Sequence, residues 1–309
     1  MKRYFLQRIL CILPILLGIS LVSFLLINLS PSDPAEVALR VNEIVPTEEA
    51  VASMRTELGL DKPFFERYIH WLGNCLRFDF GNSYINKKPV SGEMLKALPP
   101  TLYLAGVSLA IILSISITAG ILCAVFEGSM IDKGIRAFIF VGSAMPNFWL
   151  ALLLMWFFAV KLDLFPTSGM GGFDSVILPA VTLSFSYVST YTRLLRNSMV
   201  QNKTENYVLY TRVRGLKEST VIKHIFKNSL QSSITALGMS IPKLIAGTVI
   251  VENIFAWPGI GRLCVTAIFN RDYPIIQAYV IMMAVLFVVC NLLVDLLSAS
   301  LDPRVRREV

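Results

Sequence analysis

Charged residues are scarce in this chain. They make up 16% of its 309 residues, whereas hydrophobic residues make up 55%. Soluble globular domains carry about 25% charged residues, so the composition excludes an ordinary water-soluble domain. The chain has instead several apolar runs that are too long for a core helix, and these predict an all-α, polytopic membrane protein.

Metal-ligating and nucleotide-binding residues are also sparse. The chain has two histidines, His70 and His224, and five cysteines that form no CxxC or other metal spacing. This distribution supports neither a disulfide framework nor a zinc site, and we expect no metal site in this chain. The sequence contains no GxxxxGK[ST] phosphate-binding loop, so we expect this chain to bind neither ATP nor another cofactor by itself.

Six apolar runs have the length of membrane spans, because roughly 20 helical residues cross about 30 Å of hydrocarbon. They lie near Ile9–Leu29, Thr101–Phe126, Ala137–Val160, Val176–Tyr191, Ser233–Phe255 and Ile275–Ala299. The first run has a basic start but is long and lacks a small-x-small cleavage site after it. We therefore interpret residues 1–29 as an uncleaved span rather than as a signal peptide.

The positions of lysine and arginine predict the orientation. If both termini are cytoplasmic, most basic residues lie on one side, and the short loops on the other side carry only Lys161, Arg262 and Arg271. The net charge of +7 then reflects contact with the anionic inner leaflet of the membrane. No exposed alternation of aromatic and basic residues indicates nucleic-acid binding.

The predicted spans divide the chain into residues 1–29, an outer segment 30–98, a core 99–299 and a cytoplasmic tail 300–309. In the outer segment, Thr47 followed by two glutamates, and then Gly59, predicts a capped helix with a glycine stop. Apolar residues spaced three or four apart between Phe65 and Leu76 predict a second helix. We interpret the segment as a helical subdomain that packs on the bundle and docks an external partner.

A polar cytoplasmic segment, residues 203–231, contains a lone glycine in the stretch YTRVRGLKEST. Apolar and aromatic residues recur at helical spacing on both sides of it. Gly215 suits a left-handed bend that other residues resist. We predict a helix, a bend and a second helix that project the bend toward another protein. A helix that only anchors to the lipid surface would not need the bend.

The candidates for a pathway or gate are Pro146, Asn147, Lys243, Trp257 and Asp295, with Pro242 as a further kink inside the fifth span. A proline removes a backbone donor and lets a helix bend. Intramembrane charge is costly, so we expect Lys243 and Asp295 to face a cavity or to pair with each other, although Asp295, near the inner end of the sixth span, could simply reach the interface. The stretch NIFAWPGIGR predicts an outer turn or re-entrant loop, with Trp257 at the headgroup level.

Several stretches together resemble a known family. They are NYVLYTRVRGLKESTVIKHIFKNSLQ, MPNFWLALLL, ILPAVTLSFSYV, ENIFAWPGIGRL, RDYPIIQA, LVDLLSASLDPRVR, RYFLQRIL and LGLDKPFFERY. Along the chain these stretches occur in the same order as in that family. Through them the chain resembles the transmembrane subunits of ATP-binding-cassette (ABC) importers of the peptide, opine and nickel branch. It departs from the family pattern at Tyr210, Thr211 and Arg212, where the family has Glu-Ala-Ala or a variant. Within the branch it is most similar to nickel-import permeases.

The resemblance implies a type-1 ABC transmembrane fold in the cell membrane. It also implies a second, homologous permease, two cytoplasmic ATPase subunits that use the ATP, and an extracytoplasmic solute-binding protein. The cargo that it implies is nickel, free or chelated.

The same resemblance implies roles for residues of the cytoplasmic segment. Gly215 would form the bend, Arg212 and Arg214 would form charge pairs, and Tyr207 and Leu216 would contact the ATPase.

Other readings of the sequence remain open. The permeases of oligopeptide and dipeptide importers share many of the same sequence motifs, so this class of cargo remains an alternative to nickel. An intramembrane enzyme would need convergent catalytic groups, for which Lys243 with a serine of the fourth span is a poor candidate. A passive channel gives the bent cytoplasmic segment no role.

Overall fold

The computed structural model describes the backbone of residues 2–29 and 33–301. Within these residues the regular structure is helical, apart from one isolated bridge between Asn82 and Pro89. The predicted all-α class is therefore confirmed.

The helices follow one another along the described chain without a sheet between them. They are α1 Lys2–Asn28, α2 Pro34–Val41, α3 Glu48–Glu57, α4 Phe64–Leu76, α5 Val90–Val125, α6 Met130–Ala144, α7 Asn147–Leu154, a π-helix Met155–Lys161, α8 Asp174–Asn202, α9 Asn206–Val213, α10 Glu218–Gly238, α11 Ile241–Ile254, α12 Ile260–Phe269 and α13 Tyr273–Leu301.

Three stretches of the described chain are long and apolar enough to cross a membrane: Val90–Val125, Ala236–Ile254, which includes the short turn between α10 and α11, and Tyr273–Val294. A fourth span is possible if the bent pair of α6 and α7 with the π-helix is counted as one. Helices α1 and α8 lie at the first and fourth predicted spans. Within the described residues, neither helix meets the same criteria of length and apolar composition.

The third predicted span, Ala137–Val160, is not one continuous helix. Its two halves meet at an angle of 106°. Helix α6 ends because Met145 precedes Pro146 and is extended (φ −84°, ψ 134°), the conformation that a following proline favours. Pro146 then precedes the first turn of α7, and its carbonyl accepts hydrogen bonds from the backbone N–H groups of Trp149 and Leu150. The predicted kink is therefore a full break.

The fifth predicted span is also divided. Helix α10 ends at Gly238, and α11 begins at Ile241 with Pro242 in its first turn. A proline at that position loses no intrahelical hydrogen bond, because the first N–H groups of a helix have no partner within it. Pro242 therefore lies in the first turn of α11, directly after the two-residue turn that follows α10, and a kink of the span at this point stays a prediction.

The chain forms two compact units, residues 1–101 with 258–289, and residues 102–257 with 290–309. In the first unit the two predicted outer helices are present as α3 and α4. The Thr47 hydroxyl caps α3 by accepting from the Ala50 N–H at 3.3 Å, and Gly59 adopts φ +65° after it. Helix α4 packs on α1 through Phe24, whose ring lies 5.3 Å from that of Trp71.

The second unit has its main core around α8. Val176, Leu183 and Tyr191 of this helix are buried together with Leu104 and Val251 of other helices. Helix α8 packs against α6, α7, α10 and α11. It thereby connects the broken third span to the segment that follows it on the predicted cytoplasmic side.

Helices α6 and α8 approach closely at Gly142. A Cβ atom placed there would lie 1.6 Å from Cε1 of Phe185, whose ring also contacts Phe138 at 5.8 Å. We predict that Gly142→Ala lowers stability by about 1–3 kcal/mol, because the ring must move out of a packed position. The measurement is the midpoint of thermal unfolding of the purified protein in detergent.

Gly134→Ala on the same helix is the matched control, since a Cβ atom there meets nothing within 4 Å. It should leave the midpoint unchanged or raise it slightly, because alanine favours a helix by about 0.5–1 kcal/mol over glycine. Equal midpoints for the two variants would refute close packing at Gly142.

Candidate functional site

The cytoplasmic segment is built as predicted: a short helix, a glycine bend and a second helix. Helix α9 ends at Val213, and Gly215 has φ +74°. The Gly215 N–H donates to the Arg212 carbonyl at 2.9 Å, and the Leu216 N–H donates to the Thr211 carbonyl at 3.3 Å. These bonds satisfy carbonyl groups at the end of the helix, which is what a left-handed glycine after a helix allows.

One face of α9 is packed onto the chain itself. Val208 is buried in a cluster with Leu195 and Met199 of α8 and with Val221 and Ile225 of α10. The cluster also includes Ala124, near the end of α5. Helix α9 is therefore fixed by apolar contacts to the ends of three longer helices.

Tyr207 lies on the packed side of α9. Its ring contacts the same cluster, and its hydroxyl donates to Oδ1 of Asn202 at 3.0 Å. The structure thus places Tyr207 against its own chain, and its contact with an ATPase stays a prediction.

The opposite face of α9 is apolar and exposed. Leu209, Tyr210 and Val213 are 63%, 70% and 79% exposed, and Leu216 after the bend is 42% exposed. A helical register places positions separated by three or four residues on one side. Of the residues on this exposed surface, only Leu216 was predicted from the sequence to contact the ATPase. Leu209 and Val213 could have been found from the exposed side of the same helical period.

The two arginines near the bend differ in their contacts. Arg212 pairs with Glu218 across the glycine, with Nε 3.0 Å from Oε1, and both side chains are more than half exposed. Such a surface pair contributes about 0–1 kcal/mol. Arg214 is exposed and makes no ion pair with the described residues.

A buried ion pair that was not predicted from the sequence joins α6 to α8. Asp132 is fully buried, and Arg196 donates to both of its carboxylate oxygens, Nε to Oδ1 and Nη2 to Oδ2, each at 2.8 Å. The Gly128 N–H donates to Oδ2 at 3.1 Å, and the Ser129 hydroxyl caps α6 at the Asp132 N–H. The signal in the sequence is a serine three residues before an acid at a helix start.

The pathway candidates fall into different environments. Pro146 and Asn147 lie at the 106° bend. Lys243, in the first turn of α11, has an exposed side chain. The side chain of Asp295 lies outside the described residues, so its pairing with Lys243 stays a prediction.

Trp257 does not lie at a headgroup surface. It is fully buried, its ring stacks on Tyr103 with centroids 6.3 Å apart, and its backbone N–H donates to the Glu252 carbonyl at 2.8 Å. The expectation of an interfacial anchor is wrong, because the turn at Ala256 (φ +49°) directs the indole into the core of the second unit.

The first unit holds a cavity of about 620 Å³ whose lining includes Arg67, Trp71 and Tyr84. Burial, with the nearby Asp272 carboxylate as a smaller cause, raises the pKa of Tyr84 to about 12, so its hydroxyl is neutral at physiological pH. Asp272 accepts hydrogen bonds from the Ser83 hydroxyl and from the Tyr84 N–H. Within the described residues, no group of three or more His, Cys, Asp or Glu side chains could hold a metal ion.

Comparison with solved structures identifies the fold. An inward-facing structure of the MetNI methionine ABC transporter matches with a TM-score of 0.58 at 14% identity, covering 68% of this chain and 96% of that chain. An amino acid ABC transporter with histidines matches with a TM-score of 0.53 at 14% identity, covering 68% and 94%. The helical arrangement is that of ABC transporter permeases.

Sequence comparison identifies the family. Residues 116–307 match the binding-protein-dependent transport system inner membrane component, and residues 1–105 match the N-terminal part of such membrane components. The chain belongs to this family. It is a permease subunit of an ABC importer, a transport protein of the inner membrane rather than an enzyme, and it functions with an ATPase and a substrate-binding protein.

Similar curated proteins have more than one kind of cargo in their names. The metal-staphylopine import system permease protein CntB of Staphylococcus aureus is 38% identical, and the oligopeptide transport system permease protein AppB of Bacillus subtilis is 39% identical. The glutathione transport system permease protein GsiC of Pectobacterium atrosepticum is 36% identical. Each match covers 99% of both chains.

We predict that Gly215→Ala impairs coupling through the bend. A Cβ atom at Gly215 meets nothing within 4 Å, so the substitution costs only the left-handed backbone, about 1–2 kcal/mol. ATP hydrolysis by the assembled transporter in the presence of its binding protein should fall severalfold. ATP hydrolysis should fall less with Gly215→Asn than with Gly215→Ala, because asparagine tolerates the left-handed conformation better than alanine.

Gly106→Ala is the control for a glycine-to-alanine change with free space and no positive φ. It should hydrolyse ATP as the unmodified transporter does. Full activity of Gly215→Ala would mean that the left-handed bend is not needed for coupling.

Proposed function

We propose that this permease forms the membrane channel of a nickel importer, with nickel carried free or, as we favour, in a chelate. The complete transporter would contain a second, homologous permease, two ATPase subunits and an extracytoplasmic binding protein. ATP would be bound and hydrolysed by the ATPase subunits, and this chain would bind no cofactor.

The two faces of α9 carry the coupling part of the proposal. The exposed face with Leu209, Tyr210 and Val213 offers an apolar surface to an ATPase groove, and Leu216 extends it past the bend. The packed face fixes Val208 to α8 and α10. A displacement of the ATPase would therefore move the ends of these helices, because closely packed apolar contacts resist compression.

The broken spans offer a place for the pathway to open and close. Breaks at Pro146 and before Pro242 leave short helices whose ends can reorient as rigid pieces. Asn147 at the first break and the buried Trp257 turn are our candidates for gate positions. Irregular backbone at membrane depth is tolerated where protein or a water-filled cavity satisfies its polar groups.

Lys243 favours a chelate over a bare metal ion as cargo. Its exposed ammonium group, near the start of α11, would repel a divalent cation and attract the carboxylates of a chelate. The similarity to a metal-staphylopine permease over 99% of both chains also supports this cargo class.

An oligopeptide importer is the second candidate. Similarity to the oligopeptide and glutathione permeases, at 39% and 36% identity, favours it. A peptide also carries a carboxylate that Lys243 would attract, so this residue does not separate the two cargo classes.

The test of cargo is uptake of radioactive nickel by cells that lack only this gene. The nickel is supplied alone and as a complex with a carboxylate-rich chelator, each with and without excess small peptides. We expect cells without the gene to lose uptake of the nickel complex. The intact gene should restore this uptake, and excess peptides should not reduce the restored uptake.

The matched arm measures uptake of a labelled small peptide in the same cells. Unchanged nickel uptake together with lost peptide uptake would contradict the nickel proposal and identify the peptide class. The coupling part of the proposal would be unaffected by that result.

A further inference from the structure

The second unit contains a cavity of about 670 Å³ between α6 and α8. Its lining includes four basic residues: Lys133, Arg136, Arg193 and Arg196. They lie in the first turns of α6 and in the last third of α8, on the predicted cytoplasmic side of the membrane. The cavity therefore concentrates positive charge at the level of the inner leaflet.

The chain itself neutralises only part of this charge. Asp132 binds Arg196 through two hydrogen bonds of 2.8 Å, and Arg136 reaches the same carboxylate only at 3.8 Å. Lys133 and Arg193 are exposed and make no ion pair with the described residues. Four basic residues and one acidic residue leave a surplus of positive charge at the cavity, and this surplus would attract an anion.

A buried hydroxyl in the same cavity lacks a partner. Thr192 lines the cavity and is 1% exposed, and its Oγ1 makes no hydrogen bond with the described residues. A buried polar group without a partner is destabilising unless a ligand or water satisfies it. The hydroxyl itself is covered, so an anionic oxygen in the cavity accepts a hydrogen bond from it once the Thr192 side chain turns toward the cavity, whereas the exposed bases need no such change.

The rest of the lining is mixed, with polar Ser143, Ser189 and Asn197 and an apolar edge on α6, and the cavity is open at one side. Ile139 and Phe140 of α6 line the cavity, and Phe140 is 72% exposed. A ligand that fits has a phosphate-sized anionic head for the basic end and hydrocarbon for the apolar edge. Basic pockets between membrane helices on the cytoplasmic side bind anionic lipid headgroups.

We propose that the cavity between α6 and α8 binds an anionic phospholipid of the cytoplasmic leaflet. Its phosphate lies among Lys133, Arg193 and the Thr192 hydroxyl, and its acyl chains lie along Phe140. This site does not depend on which cargo the transporter carries.

The test measures the affinity of phosphatidylglycerol and phosphatidylcholine for the assembled transporter in detergent by native mass spectrometry. Lys133→Gln/Arg193→Gln removes the two unpaired charges and leaves the Asp132 pair intact. We expect phosphatidylglycerol to bind about 25-fold more weakly to this variant, because each of the two basic residues near an anionic lipid contributes about fivefold. Phosphatidylcholine binding should not change.

Arg77→Gln/Lys88→Gln is the matched control, since both residues are exposed and lie outside the cavity. It should bind phosphatidylglycerol as the unmodified transporter does. Thr192→Val provides a second variant that keeps the side-chain shape, and it should weaken phosphatidylglycerol binding severalfold without lowering thermal stability.

Unchanged phosphatidylglycerol affinity in both cavity variants would overturn the proposal. An equal loss with the Arg77→Gln/Lys88→Gln control would also overturn it, because the effect would then reflect net charge alone. Glycerophosphoglycerol, the headgroup without acyl chains, is the final probe. If it binds as tightly as the lipid, the cavity is a site for soluble anions and the lipid proposal is wrong.

Discussion

The ion pair between Asp132 and Arg196 is the contact on which the cytoplasmic end of the second unit depends. A carboxylate that is fully buried is stable as an anion only when charged donors replace the water it has lost. Arg196 supplies two such donors in a parallel geometry, which also fixes direction. The pair therefore locks the start of α6 to α8 near its end.

This lock joins two parts of the permease that have different tasks. Along α6 the chain leads to the break at Pro146, where the third span turns by 106°. Along α8 it leads to the bend at Gly215 and to the exposed face of α9. The cluster around Val208 adds the ends of α5 and α10. In the proposed coupling, force applied at α9 would reach the broken span through this cluster, the ion pair and the close contact of α6 with α8 at Gly142.

The sequence predicts the local features of this arrangement well. The helical period around Gly215, the cap at Thr47 and the length of most apolar runs depend on neighbouring residues, and the structure confirms each of these helices. The family follows from motifs spread along the chain, and the family match confirms it.

Features that depend on distant residues were not predictable in the same way. Tryptophan is a residue type that is common at membrane interfaces, but Trp257 stacks in the core on Tyr103, which lies more than 150 positions earlier in the chain. In the sequence Asp132 is an ordinary acidic residue in the first turn of a helix. Its burial depends on Arg196, which lies 64 positions later in the chain and contacts it only in the folded protein. Pro146 and Pro242 signal bends, but whether a helix kinks or breaks depends on packing around it.

A double-mutant cycle on the ion pair tests this account most directly. The variants are Asp132→Leu, Arg196→Met and the two together, and the measurements are thermal unfolding in detergent and ATP-driven uptake. We expect each single variant to lose about 3–5 kcal/mol and most of its uptake, because one buried charge is left unpaired. The double variant should regain most of both. A double variant that loses the sum of the two single losses would contradict the claim that the pair joins α6 to α8.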